Sequence, residues 1–165
     1  MRAAMNHPVQ APIYIRLGRG PEWLIDGSAE FEIGKAQMLR DGRNLTLVAN
    51  GAMVVEAVLA ADVLAEMGVA ARVLNMHTVK PLDTGALLSA ALDTPAMIVI
   101  EEHSVIGGLG AAVLEALAEV PHGPVRRIGI PDVFPPIGPT RALRDSLGLC
   151  ADNIVAQALD LLGRG

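Results

Sequence analysis

The chain has 165 residues, 52% hydrophobic, 19% charged and 2% aromatic, with 13 Lys and Arg against 18 Asp and Glu for a net charge of −5. So high an apolar fraction with so small a net charge excludes disorder over most of the length. The acidic balance and the scarcity of aromatics exclude a basic nucleic-acid binder with base-stacking platforms.

Cys150 is the single cysteine, so neither an intrachain disulfide nor a cysteine metal cluster can form. This usage fits a reducing compartment. The richest apolar stretch, Val54 to Leu74, is interrupted by Glu56, Asp62, Glu66 and Arg72, so no membrane span is expected. Arg2 is followed by Asn6, His7, Pro8 and Gln10 rather than an apolar run, so no signal peptide is expected and the cytoplasm is the default.

The first 30 residues differ from the rest. Ile13 to Leu17 reads as a short strand stopped by Gly18-Arg19-Gly20-Pro21, and Trp23 to Glu30 as a linker with an Asp26-Gly27-Ser28 turn. A lone strand cannot fold by itself. This part is expected to be the tail of something else, or an arm on a partner.

From Phe31 the pattern is regular. Phe31 to Leu39 suggests a short strand closed by Asp41-Gly42, and Leu45 to Ala49 a buried one. Val54, Ala57, Val58, Ala61 and Leu64 recur at helical spacing, so a helix is expected over Met53–Met67 with Gly68 as its stop. Its apolar residues run nearly all round, which predicts burial on more than one side. Strands are then expected at Ala71–Met76, Ala96–Ile100 and Val125–Ile130. Helices are expected from the Asp83 N-cap to about Leu92, from the Gly107-Gly108-Leu109-Gly110 turn to about Val120, and over Thr140–Leu147 and Asp152–Leu162. Strands alternating with helices predict an α/β domain: a mostly parallel sheet with helices on both faces.

In such sheets ligands gather beyond the C-terminal ends of the strands. Those ends carry Asn50-Gly51, then Asn75 with His77-Thr78, then Glu101-Glu102-His103, then Pro131-Asp132. Glu101, Glu102 and His103 could do acid–base work. They could equally satisfy loop backbone donors or pair with a neighbouring chain. Gly107, Gly108 and Gly110 open a helix whose N–H groups could hold an anion. However, Val113 stands where a dinucleotide-binding motif needs its third Gly, and tight backbone packing is the better reading. His7, His77, His103 and His122 lack metal-ligand spacing. Arg19, flanked by Gly18 and Gly20, could grip a phosphate or carboxylate, or stay a solvated loop cation.

Ile13-Tyr14-Ile15-Arg16-Leu17-Gly18-Arg19-Gly20, Phe31-Glu32-Ile33-Gly34-Lys35-Ala36, Leu39-Arg40-Asp41-Gly42 and Asn50-Gly51 follow one another in an order that resembles the C-terminal part of transketolase-type enzymes. His77 to Asp83, Glu101-Glu102-His103, the Gly107–Gly110 turn and Gly129-Ile130-Pro131-Asp132 continue the resemblance, which covers about residues 11–160. Within that family the chain most resembles the C-terminal section of split bacterial transketolases. Deoxyxylulose-phosphate synthase and the β subunits of 2-oxo-acid dehydrogenases are relatives.

The resemblance implies a three-layer, five-stranded, mostly parallel sheet with one antiparallel strand, for which Phe31–Leu39 is the candidate. It implies residues 1–30 as the tail of an upstream pyrimidine-binding domain plus linker, and residues 31–165 as the C-terminal domain. Thiamine diphosphate and Mg²⁺ would act in the full assembly, with none bound by this chain alone. The cofactor-activating Glu and the Mg²⁺ motif of relatives lie upstream and have no counterpart here. Arg19 matches the position that grips the sugar-phosphate substrate. Glu101, Glu102, His103, Gly107, Gly108 and Gly110 become candidates for a subunit interface or the substrate entrance. The implied activity of the assembly is transfer of a two-carbon ketol unit between sugar phosphates, with an N-terminal section as partner and a homo-oligomer as the expected state. A 2-oxo-acid dehydrogenase fragment, or a non-catalytic assembly module, is the alternative.

Overall fold

The computed structural model of the chain describes residues 2–8, 11–18 and 31–165. A four-residue helix α1 (Arg2–Met5) and a stretch without regular secondary structure over residues 12–18 precede the domain. Five strands then form one sheet: β1 (Gln37–Arg40), β2 (Leu45–Ala49), β3 (Ala71–Asn75), β4 (Met97–Ser104) and β5 (Val125–Ile130). Their order is β1-β3-β2-β4-β5. All neighbours are parallel except β1, which runs antiparallel to β3.

Every residue of β2 and β3 is buried, as strands covered on both faces must be. The helices α2 (Met53–Glu66) and α6 (Ala151–Leu161) cover one face, around Leu47, Ala57, Leu64, Ile98 and Ile154. On the other face α3 (Thr84–Asp93) and α4 (Leu109–Leu117) pack around Val48, Leu87, Val99 and Val113. The short α5 (Thr140–Ser146) bears no fully buried residue. Asp83 caps α3 by accepting from Ala86 N at 3.1 Å. Its second oxygen accepts from Ala36 N at 2.9 Å, which ties the chain before β1 to that helix.

Two expectations need correction. Ile13–Leu17 is not a strand: among the described residues no sheet edge pairs with it, and Tyr14 and Leu17 stand open to solvent. The antiparallel strand expected over Phe31–Leu39 is confined to Gln37–Arg40, overlapping only the end of that segment. Before it, Lys35 N turns back to Glu32 O at 3.1 Å, and Gly34, at φ +83°, sits against the Pro81 ring. Only a turn can follow that path. The helix α2 is buried on more than one side, as its apolar pattern implied: it packs on the sheet and on α6, while Leu59, Val63 and Met67 remain exposed. Residues 19–30, with the whole of the linker expected over Trp23 to Glu30, lie outside the described residues.

Candidate functional site

The strand expected to end at Ile100 continues to Ser104, so Glu101, Glu102 and His103 belong to β4 and not to a loop. Ladder pairing shifts within this stretch: Ile100 faces Ile128, yet Ser104 faces Ile130. The extra length on β4 makes a bulge, and a bulge re-aims side chains. The three residues diverge accordingly.

Glu101 turns inward and is 2% exposed. Its carboxylate accepts from Leu109 N at 2.6 Å and Gly110 N at 2.8 Å, the first free N–H groups of α4. The positive end of a helix favours an anion there. Room for it comes from Gly108, where a Cβ would collide with the Glu101 carboxylate, and from Gly110, where a Cβ would meet Arg127 Cδ at 2.6 Å. The helix terminus suited to an outside anion is therefore filled by the chain's own carboxylate. Of the two readings of the glycine turn, tight packing is the one the geometry follows. Gly107, at φ +73°, makes the left-handed bend before it.

Glu102 points the other way. Arg144 of α5 grips its carboxylate with a two-pronged pair, Nε to Oε1 at 2.8 Å and Nη2 to Oε2 at 2.8 Å. The Glu102 carbonyl accepts from Arg16 Nη1 at 3.1 Å. His103 is exposed, and its Nδ1 lies 3.2 Å from the Ser104 carbonyl. The motif thus does not converge on one reacting point. Glu101 and Glu102 satisfy backbone and ion-pair partners within this chain. Arg19 lies outside the described residues.

At the end of β3, Asn75 Nδ2 donates to Gln37 Oε1 at 3.0 Å. His77 stacks on Phe31 with ring centroids 4.1 Å apart, and its Nδ1 is 2.9 Å from Thr78 Oγ1. Its Nε2 is buried, with no well-aligned hydrogen-bond partner among the described residues. Burial pushes the His77 pKa below the ordinary 6.5, outweighing the opposite pull of the Lys35 main chain.

Sequence reasoning missed Glu56. It lies on α2, is 6% exposed, and accepts from Arg141 Nη1 and from Ala151 N, both at 2.9 Å. It is the N-terminal clamp of α6.

Beyond β5 every residue from Pro131 to Ala142 is exposed, with Phe134 and Ile137 fully so. Tyr14 and Leu17 in the early segment, and Ile106 after β4, also face solvent. Among the described residues no three His, Cys, Asp or Glu side chains are placed to hold a metal ion. No helix among them is long and apolar enough to cross a membrane.

Residues 34–154 match the family profile of the transketolase C-terminal domain. The chain is similar to the 6-deoxy-6-sulfo-D-fructose transketolase subunit SqwH of Clostridium sp. (strain MSTE9), with 47% identity over 154 residues that cover 93% of this chain and 48% of that protein. It is also similar to a subunit of the apulose-4-phosphate transketolase of Phocaeicola vulgatus, with 42% identity over 153 residues covering 92% of this chain and 49% of that one. Among solved structures it resembles a split-gene transketolase, described as an inactive beta4 tetramer, with TM-score 0.86 and 40% identity over 94% of this chain and 51% of the other. The chain spans about half the length of the curated relatives it matches.

Proposed function

The chain belongs to the transketolase C-terminal domain family, and from that premise we propose that it supplies the C-terminal part of one subunit of a split, thiamine-diphosphate-dependent transketolase. The complete assembly would transfer a two-carbon ketol unit between sugar phosphates. In this reading residues 1–30 are the end of an upstream pyrimidine-binding domain with its linker, and residues 31–165 the C-terminal domain. Arg19 would grip the substrate phosphate. The names of the two subunit relatives support the split arrangement over a 2-oxo-acid dehydrogenase fragment.

One observation carries the division of labour. The acidic groups at the strand ends are engaged inside this chain, Glu101 on α4 and Glu102 on Arg144. The described residues therefore do not fit thiamine diphosphate and Mg²⁺. The helix N-terminus that could cradle a diphosphate holds Glu101, and no metal-ligating cluster is present among them. The cofactor would be held by the partner and by the upstream domain. When bound it supplies the carbanion chemistry. This domain would contribute the exposed apolar residues Phe134, Ile137 and Ile106 to subunit packing and the substrate entrance.

Mixing the full-length subunit with a purified N-terminal transketolase subunit tests the proposal. Ketol transfer is expected only from the mixture, and light scattering should report association. Calorimetry of this 165-residue chain alone with thiamine diphosphate and Mg²⁺ should give no saturable heat. Micromolar binding by the chain alone, or turnover without a partner, would overturn the reading.

A further inference from the structure

The strand β5 is the last of the sheet and, among the described residues, pairs with β4 alone. Met97 N donates to Pro124 O at 3.0 Å, and parallel pairing then turns the main-chain groups of Pro124, Arg126 and Ile128 toward β4. Those of Val125 and Arg127 turn the other way, to the open edge. Among the described residues no other strand or loop main chain meets them there. A groove of about 470 Å³ opens at this edge, lined by Val105, Pro124, Val125, Arg126, Arg127 and Leu161.

Side chains alternate across a strand. Arg126 shares a face with Ile128, on the side of α6, and Arg127 shares the other with Val125, on the side of α4. Unpaired edges are commonly blunted by charged side chains that stand across them. Neither arginine does so here. Arg126 Nη1 is drawn back onto Gln157 Oε1 and Asp160 Oδ2, both at 2.8 Å. Arg127 Nη1 donates to Val105 O at 2.8 Å. The two faces differ in charge. Asp160 neutralises Arg126, while no carboxylate among the described residues pairs with Arg127.

We propose that the outer edge of β5 docks an extended, acidic segment of a partner protein, added to the sheet as a sixth strand. Its carboxylates lie on the face of Arg127 and its apolar side chains on the face of Leu161. In strand addition the main chain supplies affinity and the alternate side chains supply specificity. An acidic residue gives Arg127 the charged partner that its own chain does not provide. A second copy laid on the same edge would instead add another uncompensated Arg127 to the groove, and like charges facing across strands repel.

The test uses the full-length subunit and a short fluorescein-labelled peptide of alternating glutamate and valine. Anisotropy is expected to show saturable binding, with none for a peptide of alternating lysine and valine. On binding, amide exchange should slow at Val125 and Arg127, whose N–H groups face outward, and stay as it was at Arg126 and Ile128. Arg127→Glu is expected to weaken binding by about tenfold or more. Arg40→Glu, on the opposite edge strand, should leave it unchanged. Val125→Pro deletes an outward N–H at the start of the strand without touching the β4 ladder, and should weaken binding with the circular dichroism unaltered. Absence of saturable binding, equal binding of the lysine peptide, or an Arg127→Glu variant that binds like the natural chain overturns the proposal. So does binding that leaves exchange at Val125 and Arg127 unaltered. Protection of those two amides that rises with subunit concentration, with no peptide present, would give the edge to a second copy and overturn it too.

Discussion

The two faces of the sheet solve one problem in different ways. On each, a helix N-terminus is held by a buried glutamate from another element: Glu101 of β4 for α4, Glu56 of α2 for α6. Glu101 takes two backbone N–H groups, and the approach is so close that Gly108 cannot carry a side chain. Glu56 takes one N–H group and adds the Arg141 guanidinium, 68% exposed at its side chain. The first clamp is rigid and sterically exclusive. The second is open on one side and shares its charge with a surface cation. A carboxylate taken out of water must recover its hydrogen bonds, and the two faces recover them with different mixtures of backbone and charge.

The largest expected effect is at the rigid clamp. Glu101→Ala leaves the Leu109 and Gly110 N–H groups buried and unpaired, a loss of about 3 kcal/mol in urea unfolding. Gly108→Ala should cost a similar amount in the natural background. In the Glu101→Ala background it should cost little, because its collision partner is gone. Additive costs would mean that the glycine is required for its backbone and not for the carboxylate.

A smaller effect is expected at the open clamp. Glu56→Ala should cost about 2 kcal/mol, since one backbone donor and a surface ion pair are released. Arg141→Ala should cost well under that, because the exposed cation can be replaced by water. Equal losses from the two variants would make the faces alike.

The smallest effect is pH-dependent and lies at neither clamp. His77 has its pKa lowered in the folded state by burial, so the unfolded chain takes up the proton first as pH falls. Its contribution is full above about pH 6.5 and is lost below it. The difference in unfolding free energy between the natural chain and His77→Asn should shrink as the pH drops from 7.5 to about 5.5. A difference that does not vary with pH would show that His77 keeps its ordinary pKa in the fold.

Local pattern made most of the framework legible. Leu45–Ala49 and Val125–Ile130 were bounded by turn residues and long enough to read as strands, and α2 announced itself by its spacing. Asp83 was readable as a cap because its partner Ala86 is three residues away. The polar strand-end motif was visible too, including the choice between outside ligand and internal packing at the glycine turn.

What the one-dimensional string determined was what has its partner within a turn or a strand: the order of elements, the apolar faces, and the Asp83 cap of α3. Tertiary structure alone decided which way adjacent glutamates point, because that depends on a mismatch between β4 and β5 that neither strand carries by itself. It also decided that Glu56 serves a helix 95 residues downstream and that Arg16 reaches Glu102. Such contacts are specified by how whole layers stack, and no short-range pattern encodes the distance between two layers.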